Sequence, residues 1–165
     1  MPLPVKPEET QESLSEQRKT CRRQALDLLA RREHSRLELE RKLLARSYPR
    51  DTTNEVLDAL EVEGLLEETR FIESFVRARI DKGQGPTRIR ADLIQRGIDE
   101  AHIQVGLREA CQDWGVLAAK VRRKRFGMDM PSDFTERARQ MRFLQYRGFE
   151  GGQIETALDP AVDSD

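Results

Sequence analysis

The stretch LIQRGIDEAHIQVGL, Leu93–Leu107, decides the fold. Its layout is Leu93, then Gly97 with apolar Ile98 behind it, then Ile103 and Leu107 four apart. The same layout returns in LQYRGFEGGQIETAL, Leu144–Leu158, as Leu144, Gly148, Phe149, Ile154 and Leu158. Earlier, LLARSYPRDTTNEVLDAL, Leu43–Leu60, repeats it with Ser47 and Tyr48 in the glycine and aromatic positions. Three extra residues around Pro49 bring Val56 and Leu60 into register. Leu43, Leu93 and Leu144 lie 50 and 51 residues apart. Self-similarity at a fixed period of this size marks a tandem array, whose units stack because none can bury its apolar face alone.

Around each copy the apolar residues recur at helical spacing. Ala25, Leu28 and Leu29 form the first stripe, followed by Leu39, Leu43 and Leu44, then Val56, Leu57 and Leu60. Ser35 with Glu38 three residues on is a capping-box match. Phe71, Phe75, Val76 and Ile80 open the second trio. Pro86 starts its middle helix with Ile89, Leu93 and Ile94, and Asp99 caps the next, with Ile103, Leu107 and Cys111 inward. The third trio carries Leu117, Val121 and Phe126, then Met141, Phe143 and Leu144 behind an Asp133 cap, then Ile154 and Leu158. No segment alternates with period two. The fold class is therefore all-α: three tandem three-helix repeats forming an elongated, curved array. The repeats are expected over 20–66, 67–113 and 114–158, with a disordered tail over 1–19 and an acidic tail over 159–165.

Composition narrows the function. Of 165 residues, 36% are charged, against about 25% in ordinary globular proteins, and 5% are aromatic. So thin a core disfavours an enzyme with a buried site. No stretch approaches the ~18 apolar residues a membrane span needs. Two cysteines, Cys21 and Cys111, are too few for a disulfide scaffold and are expected to be free thiols in a cytoplasmic protein. The net charge of −1 hides segregation. Residues 51–68 hold seven acids and no bases, 70–96 seven bases and three acids, 116–147 nine bases and three acids, and 150–165 five acids. Such blocks attract a partner without binding every anion.

The residues carry a family resemblance. FIESFVRARIDKGQGPTRIRADLIQRGI, Phe71–Ile98, is similar to the signature region of the RecX family, as are ALDLLARREHSRLELERKLLAR near the N-terminus and RFLQYRGFEGGQI near the C-terminus. The resemblance spans about residues 20–158. It implies three tandem three-helix repeats and a mainly negative regulator of the RecA recombinase. Such a regulator binds in the groove of the RecA–DNA filament and limits filament extension, ATP hydrolysis, strand exchange and co-protease activity. No cofactor, metal or catalytic residue goes with that role, and the chain is expected to be a monomer. The first repeat departs from the other two in using Ser47 and Pro49 where they have a helix-ending glycine.

Candidate partner or DNA contacts are the bases of the second and third repeats: Arg77, Arg79, Lys82, Arg88, Arg90, Arg96, Arg122, Arg123, Lys124, Arg125, Arg142 and Arg147. Arg77 has acids at i±4 and Arg88 has Asp92, whereas Arg79, Lys82 and Arg90 have none; these three and Arg96 are taken as the better external candidates. Arg122–Arg125 is the densest basic run. It reads either as a solvated helix, some stems lying over the core, or as an electrostatic handle. Gly83–Pro86 reads as an anion site at a helix start or, favoured, as a helix connector. His34 and His102 read as surface or capping residues and Trp114 as a wedge between repeats. Tyr48, Phe71, Phe75 and Phe149 read as packing rather than base-stacking residues. The alternative function is a helical-repeat protein binding DNA non-specifically. A sequence-reading helix-turn-helix is excluded, because Asp99, Glu100, Glu109 and Asp113 oppose a single Arg108 on the would-be recognition helix.

Overall fold

The structure is a computed structural model that describes Met1 and residues 7–111 and 113–164. Its helices are α1 Pro7–Arg31, α2 Arg36–Ala45, α3 Arg50–Val62, α4 Glu68–Asp81, α5 Pro86–Gln95, α6 Glu100–Ala110, α7 Trp114–Phe126, α8 Phe134–Arg147 and α9 Gly151–Ala157. A 3-10 turn, Pro160–Ser164, follows, and no strand occurs among the described residues. The chain divides into two compact units, residues 1–71 and 72–165.

In the first unit α1, α2 and α3 close on a core of Cys21, Ala25, Leu28, Leu39, Leu43, Val56, Leu57, Leu60 and Leu66, with Leu29 and Tyr48 against it. Ser35 accepts from the Glu38 amide while the Glu38 carboxylate accepts from the Ser35 amide, closing the capping box. The composition at the N-terminus predicts a tail over 1–19, but residues 7–19 belong to α1. Two of them have tertiary partners: Arg18 pairs with Glu55 at 2.6 Å and Gln17 accepts from the Thr52 hydroxyl at 3.3 Å. Residues 2–6 lie outside the described residues.

His34 is not a surface residue. It is buried, its Nδ1 3.0 Å from the Arg32 carbonyl and its Nε2 2.8 Å from the Lys42 ammonium. As a neutral ring it donates from Nδ1 and accepts at Nε2. Burial pushes its pKa below the ordinary value, and the Arg32 and Lys42 charges add to that. His102 is exposed, 2.9 Å from Asp99.

In the second unit Asp99, Asp113 and Asp133 cap α6, α7 and α8, each accepting a hydrogen bond from the backbone three residues on. The core of the third trio, the third core, holds Ala118, Ala119, Leu144, Phe149, Ile154, Ala157 and Leu158. Helix α7 buries a different face from the one its apolar pattern predicts. Gly115, Ala118, Ala119 and Arg122 are buried, whereas Leu117, Val121 and Phe126 are half-buried. Small side chains let α9 approach closely: a Cβ on Gly115 would stand 2.8 Å from the Thr156 methyl. Ile94, also expected inward, is about half exposed. At the C-terminus, where an acidic tail is expected, Val162 of the 3-10 turn packs on the third core. Both cysteines are free thiols, Cys21 buried and Cys111 half-buried.

Two backbone elements meet in this unit. The Gly85 amide donates to the Arg147 carbonyl at 2.7 Å and the Thr87 amide to the Gly148 carbonyl at 3.0 Å. The last carbonyls of α8 therefore satisfy donors at the start of α5, negative helix end against positive. A Cβ on Gly85 would lie 2.4 Å from the Gly148 carbonyl carbon, and one on Gly148 2.5 Å from the Arg88 Cβ. The segment Gly83–Pro86 is thus a connector, and the amides that an anion would need are occupied.

Candidate partner interface

The charges of the two units are managed differently. In the first unit the acids of α3 meet arginines of α1 and α2. Arg36 pairs with Asp58 at 2.8 Å and Glu61 at 3.1 Å, and Arg22 with Glu63 at 2.6 Å. The hydrogen bond from Arg22 holds the Glu63 carboxyl below its usual range. Arg50 pairs with Glu40 at 2.8 Å. The acidic block at 51–68 is largely spent inside its own unit.

In the second unit the predicted contact residues separate into groups. Arg79 is only 21% exposed; it pairs with Asp92 at 3.1 Å, donates to Gln84 at 3.2 Å and lies 4.6 Å over the Phe75 ring. Arg96 caps the end of α5 through the Asp92 carbonyl at 2.8 Å and lies 4.8 Å over the same ring. Arg90 pairs with Glu100 at 2.9 Å. All three were expected to lack acids; the partners of Arg79 and Arg90 come from the next helix, which the i±4 rule does not see, whereas Arg96 has Asp92 four residues before it on its own helix. Arg77 is exposed and pairs with Glu73 as expected. Arg88 lies 5.5 Å over the Tyr146 ring, and Arg142 is exposed.

The basic run on α7 is split by its own helix. Arg122 is 0% exposed and donates to the Asp129 carbonyl at 3.2 Å and to Gln140 Oε1 at 3.5 Å. Gln140 in turn donates to Glu136 at 3.2 Å. Arg122 is therefore no external handle; it pins the 127–132 loop and α8 onto α7. Arg123 is half-buried. Lys124 and Arg125 are exposed, Arg125 lying 5.4 Å over Phe126.

What the structure does bring together is Lys82 at the end of α4, Lys124 and Arg125 on α7, and Arg147 at the end of α8. They rim one cleft of about 380 Å³, joined by Lys120, which the sequence reading omits. Its floor is apolar: Ile80, Leu117, Val121 and Phe143, all half-buried. The rim has five cations against one acid, Asp81. Lys82, Lys120 and Lys124 form no ion pair with a described residue. Arg147 is fixed, donating to the Lys82 carbonyl at 2.9 Å and lying 5.1 Å over the Phe143 ring. Leu117, Lys120, Val121 and Lys124 share a face of α7, a spacing visible in the sequence, but which face stays open depends on α9 occupying the other. A second groove is lined by Trp114 together with Pro86, Leu107 and Glu150. Among the described residues no group of three or more His, Cys, Asp or Glu could hold a metal ion, and no helix is long and apolar enough to cross a membrane.

Helices in short capped trios, carrying a cationic cleft with an apolar floor, define a helical-repeat protein. Family models match all three helix trios in order: the first three-helix domain of RecX over residues 21–60, the second over 68–107 and the third over 116–158. The chain belongs to the RecX family. It is 48% identical over 141 residues to the regulatory protein RecX of Halorhodospira halophila, covering 86% of this chain and 88% of that one. It is 50% identical over 137 residues to the regulatory protein RecX of Pseudomonas entomophila, covering 83% and 88%. The fold is shared with a crystal structure of regulatory protein RecX (TM-score 0.74, 21% identity, 93% of this chain and 77% of that one). It is shared also with RecX from Lactobacillus salivarius (TM-score 0.71, 24% identity, 87% and 95%).

Proposed function

We propose that this chain is a regulator, mainly negative, of the RecA recombinase, acting in the cytoplasm during homologous recombination and the SOS response. It binds the RecA–DNA filament along its groove and restrains filament extension, ATP hydrolysis, strand exchange and co-protease activity. It performs no chemistry of its own. The observation that carries this reading is the match of all three helix trios, in order, to the three RecX domains. The cationic cleft of the second unit supplies a surface suited to an acidic or phosphate-bearing partner. Repeated contact along a polymer adds modest affinities into avidity.

The test measures binding to bare single-stranded DNA, to RecA alone and to the assembled filament, alongside RecA-dependent ATP hydrolysis. The expected result is preference for the filament and falling hydrolysis as the protein is added. Equal binding to bare DNA with undiminished hydrolysis would establish the non-specific DNA binder instead.

A further inference from the structure

We infer that the cleft between α4, α7 and α8 receives an acidic peptide segment of a partner protein, seated by one large apolar side chain, rather than a nucleic-acid strand. The inference rests on the reading above that this cleft is a contact surface, and it names the chemistry of what enters.

Three observations favour a peptide. The floor is aliphatic and aromatic: Leu117, Val121 and Phe143 stand half-exposed at the bottom of a space of about 380 Å³. A phosphodiester strand has nothing to bury there, whereas a leucine or phenylalanine side chain gains from leaving water. Secondly, the aromatic groups are engaged. Phe143 carries the Arg147 guanidinium over its ring at 5.1 Å and meets Phe126 edge to face at 5.2 Å. A base seeking a stacking platform meets a ring already in use. Thirdly, most of the groups best shaped to read phosphate are committed. The α5 amides of Gly85 and Thr87 bond the end of α8, and the guanidinium of Arg147 bonds the Lys82 carbonyl. The cations left for a partner are Lys82, Lys120 and Lys124, compact point charges that suit scattered carboxylates, and Arg125, whose guanidinium lies over the Phe126 ring. Lys120 and Lys124 stand one turn apart on α7 with Val121 between them, so acidic side chains flanking a central apolar anchor match the rim.

The test is fluorescence anisotropy with a labelled peptide of sequence EDEFEDE, its counterpart EDEGEDE and a labelled thymidine oligomer. The expected result is saturable binding of EDEFEDE and at least about tenfold weaker binding of EDEGEDE, the difference a buried phenylalanine makes. Lys120→Glu combined with Lys124→Glu abolishes the binding with the circular dichroism unchanged. Lys19→Glu, on α1 and not among the residues lining the cleft, leaves it intact. Equal affinity for the two peptides, binding of the oligomer alone, binding of none of the three, or indifference to the double reversal overturns the inference. The same double variant in the RecA assay separates this from the functional reading. Lost RecA inhibition without any peptide binding sinks the peptide and keeps the regulator. Peptide binding that the double reversal abolishes, with RecA inhibition unchanged in that variant, keeps the peptide and moves the filament contact elsewhere.

Discussion

Ser47 adopts φ +67°, the left-handed backbone that Gly97 and Gly148 take at the matching positions with φ +81° and +96°. The repeat thus conserves a backbone shape in all three copies, and the first copy meets it with a residue that has a Cβ. Left-handed backbone costs an L-residue about 1–2 kcal/mol, part of which glycine gives back as unfolded-chain entropy. Ser47→Gly is expected to raise stability by about 0.5–1 kcal/mol in urea unfolding; a loss would mean that the serine hydroxyl matters more than the strain. A second residue sets a pH limit. His34 has a folded pKa below its unfolded value near 6.5, so below that pH the unfolded chain binds a proton that the folded one resists. Its contribution is complete above about pH 7 and declines as pH falls through the folded pKa. The urea midpoint should drop on going from about pH 7.5 to 5.5, and His34→Gln, whose amide oxygen can still accept from Lys42, should flatten that drop. Arg122 and Lys124 make a contrast two positions apart. Arg122→Ala strips a buried network and should cost about 3 kcal/mol or more. Lys124→Ala, on the exposed face, should leave the unfolding curve where it was.

At the level of elements, the docking of α8 onto the start of α5 is the feature most open to attack. Gly85 has φ −88°, a value any residue adopts, so its glycine is required by proximity alone. Gly85→Ala is therefore expected to destabilise by about 2 kcal/mol or more, because backbone atoms must move apart and the bonds to Arg147 and Gly148 stretch. A neutral result would show that the helices separate easily. Leu93, fully buried at the repeat position of α5, should cost about 2–5 kcal/mol as alanine. Helix α7 illustrates how an element's periodicity misleads. Its large apolar residues signal one inward face, yet the tightest packing runs along Gly115, Ala118 and Ala119, where α9 comes close enough to touch backbone. Hydrophobic patterning weighs side-chain size, whereas close helix packing selects for its absence.

Across the whole molecule, charge is partitioned. The first unit neutralises its acids with arginines on neighbouring helices, and the second leaves lysines unopposed around one cleft. Reversing Lys82, Lys120 and Lys124 together should weaken RecA inhibition while helicity and melting temperature hold, and raised salt should weaken the parent protein in the same direction. Reversing Arg79, Arg90 and Arg96 together should unfold rather than disarm the second unit, since each is tied to Asp92, Glu100 or Phe75; native melting in that variant would contradict the geometry. Sequence alone determined the helical class, the three-fold repetition, the Ser35, Asp99 and Asp133 caps and the family, because these follow from periodicity and local hydrogen bonding within a few positions. Which cation faces outward was decided only by the tertiary structure. The partners of Arg79 and Arg122 sit 13 and 18 residues away, at Asp92 and Gln140, and Lys82, Lys120 and Arg147 converge from three helices. A charge belongs to a surface only once the chain has folded and chosen which of its opposites to bring within reach.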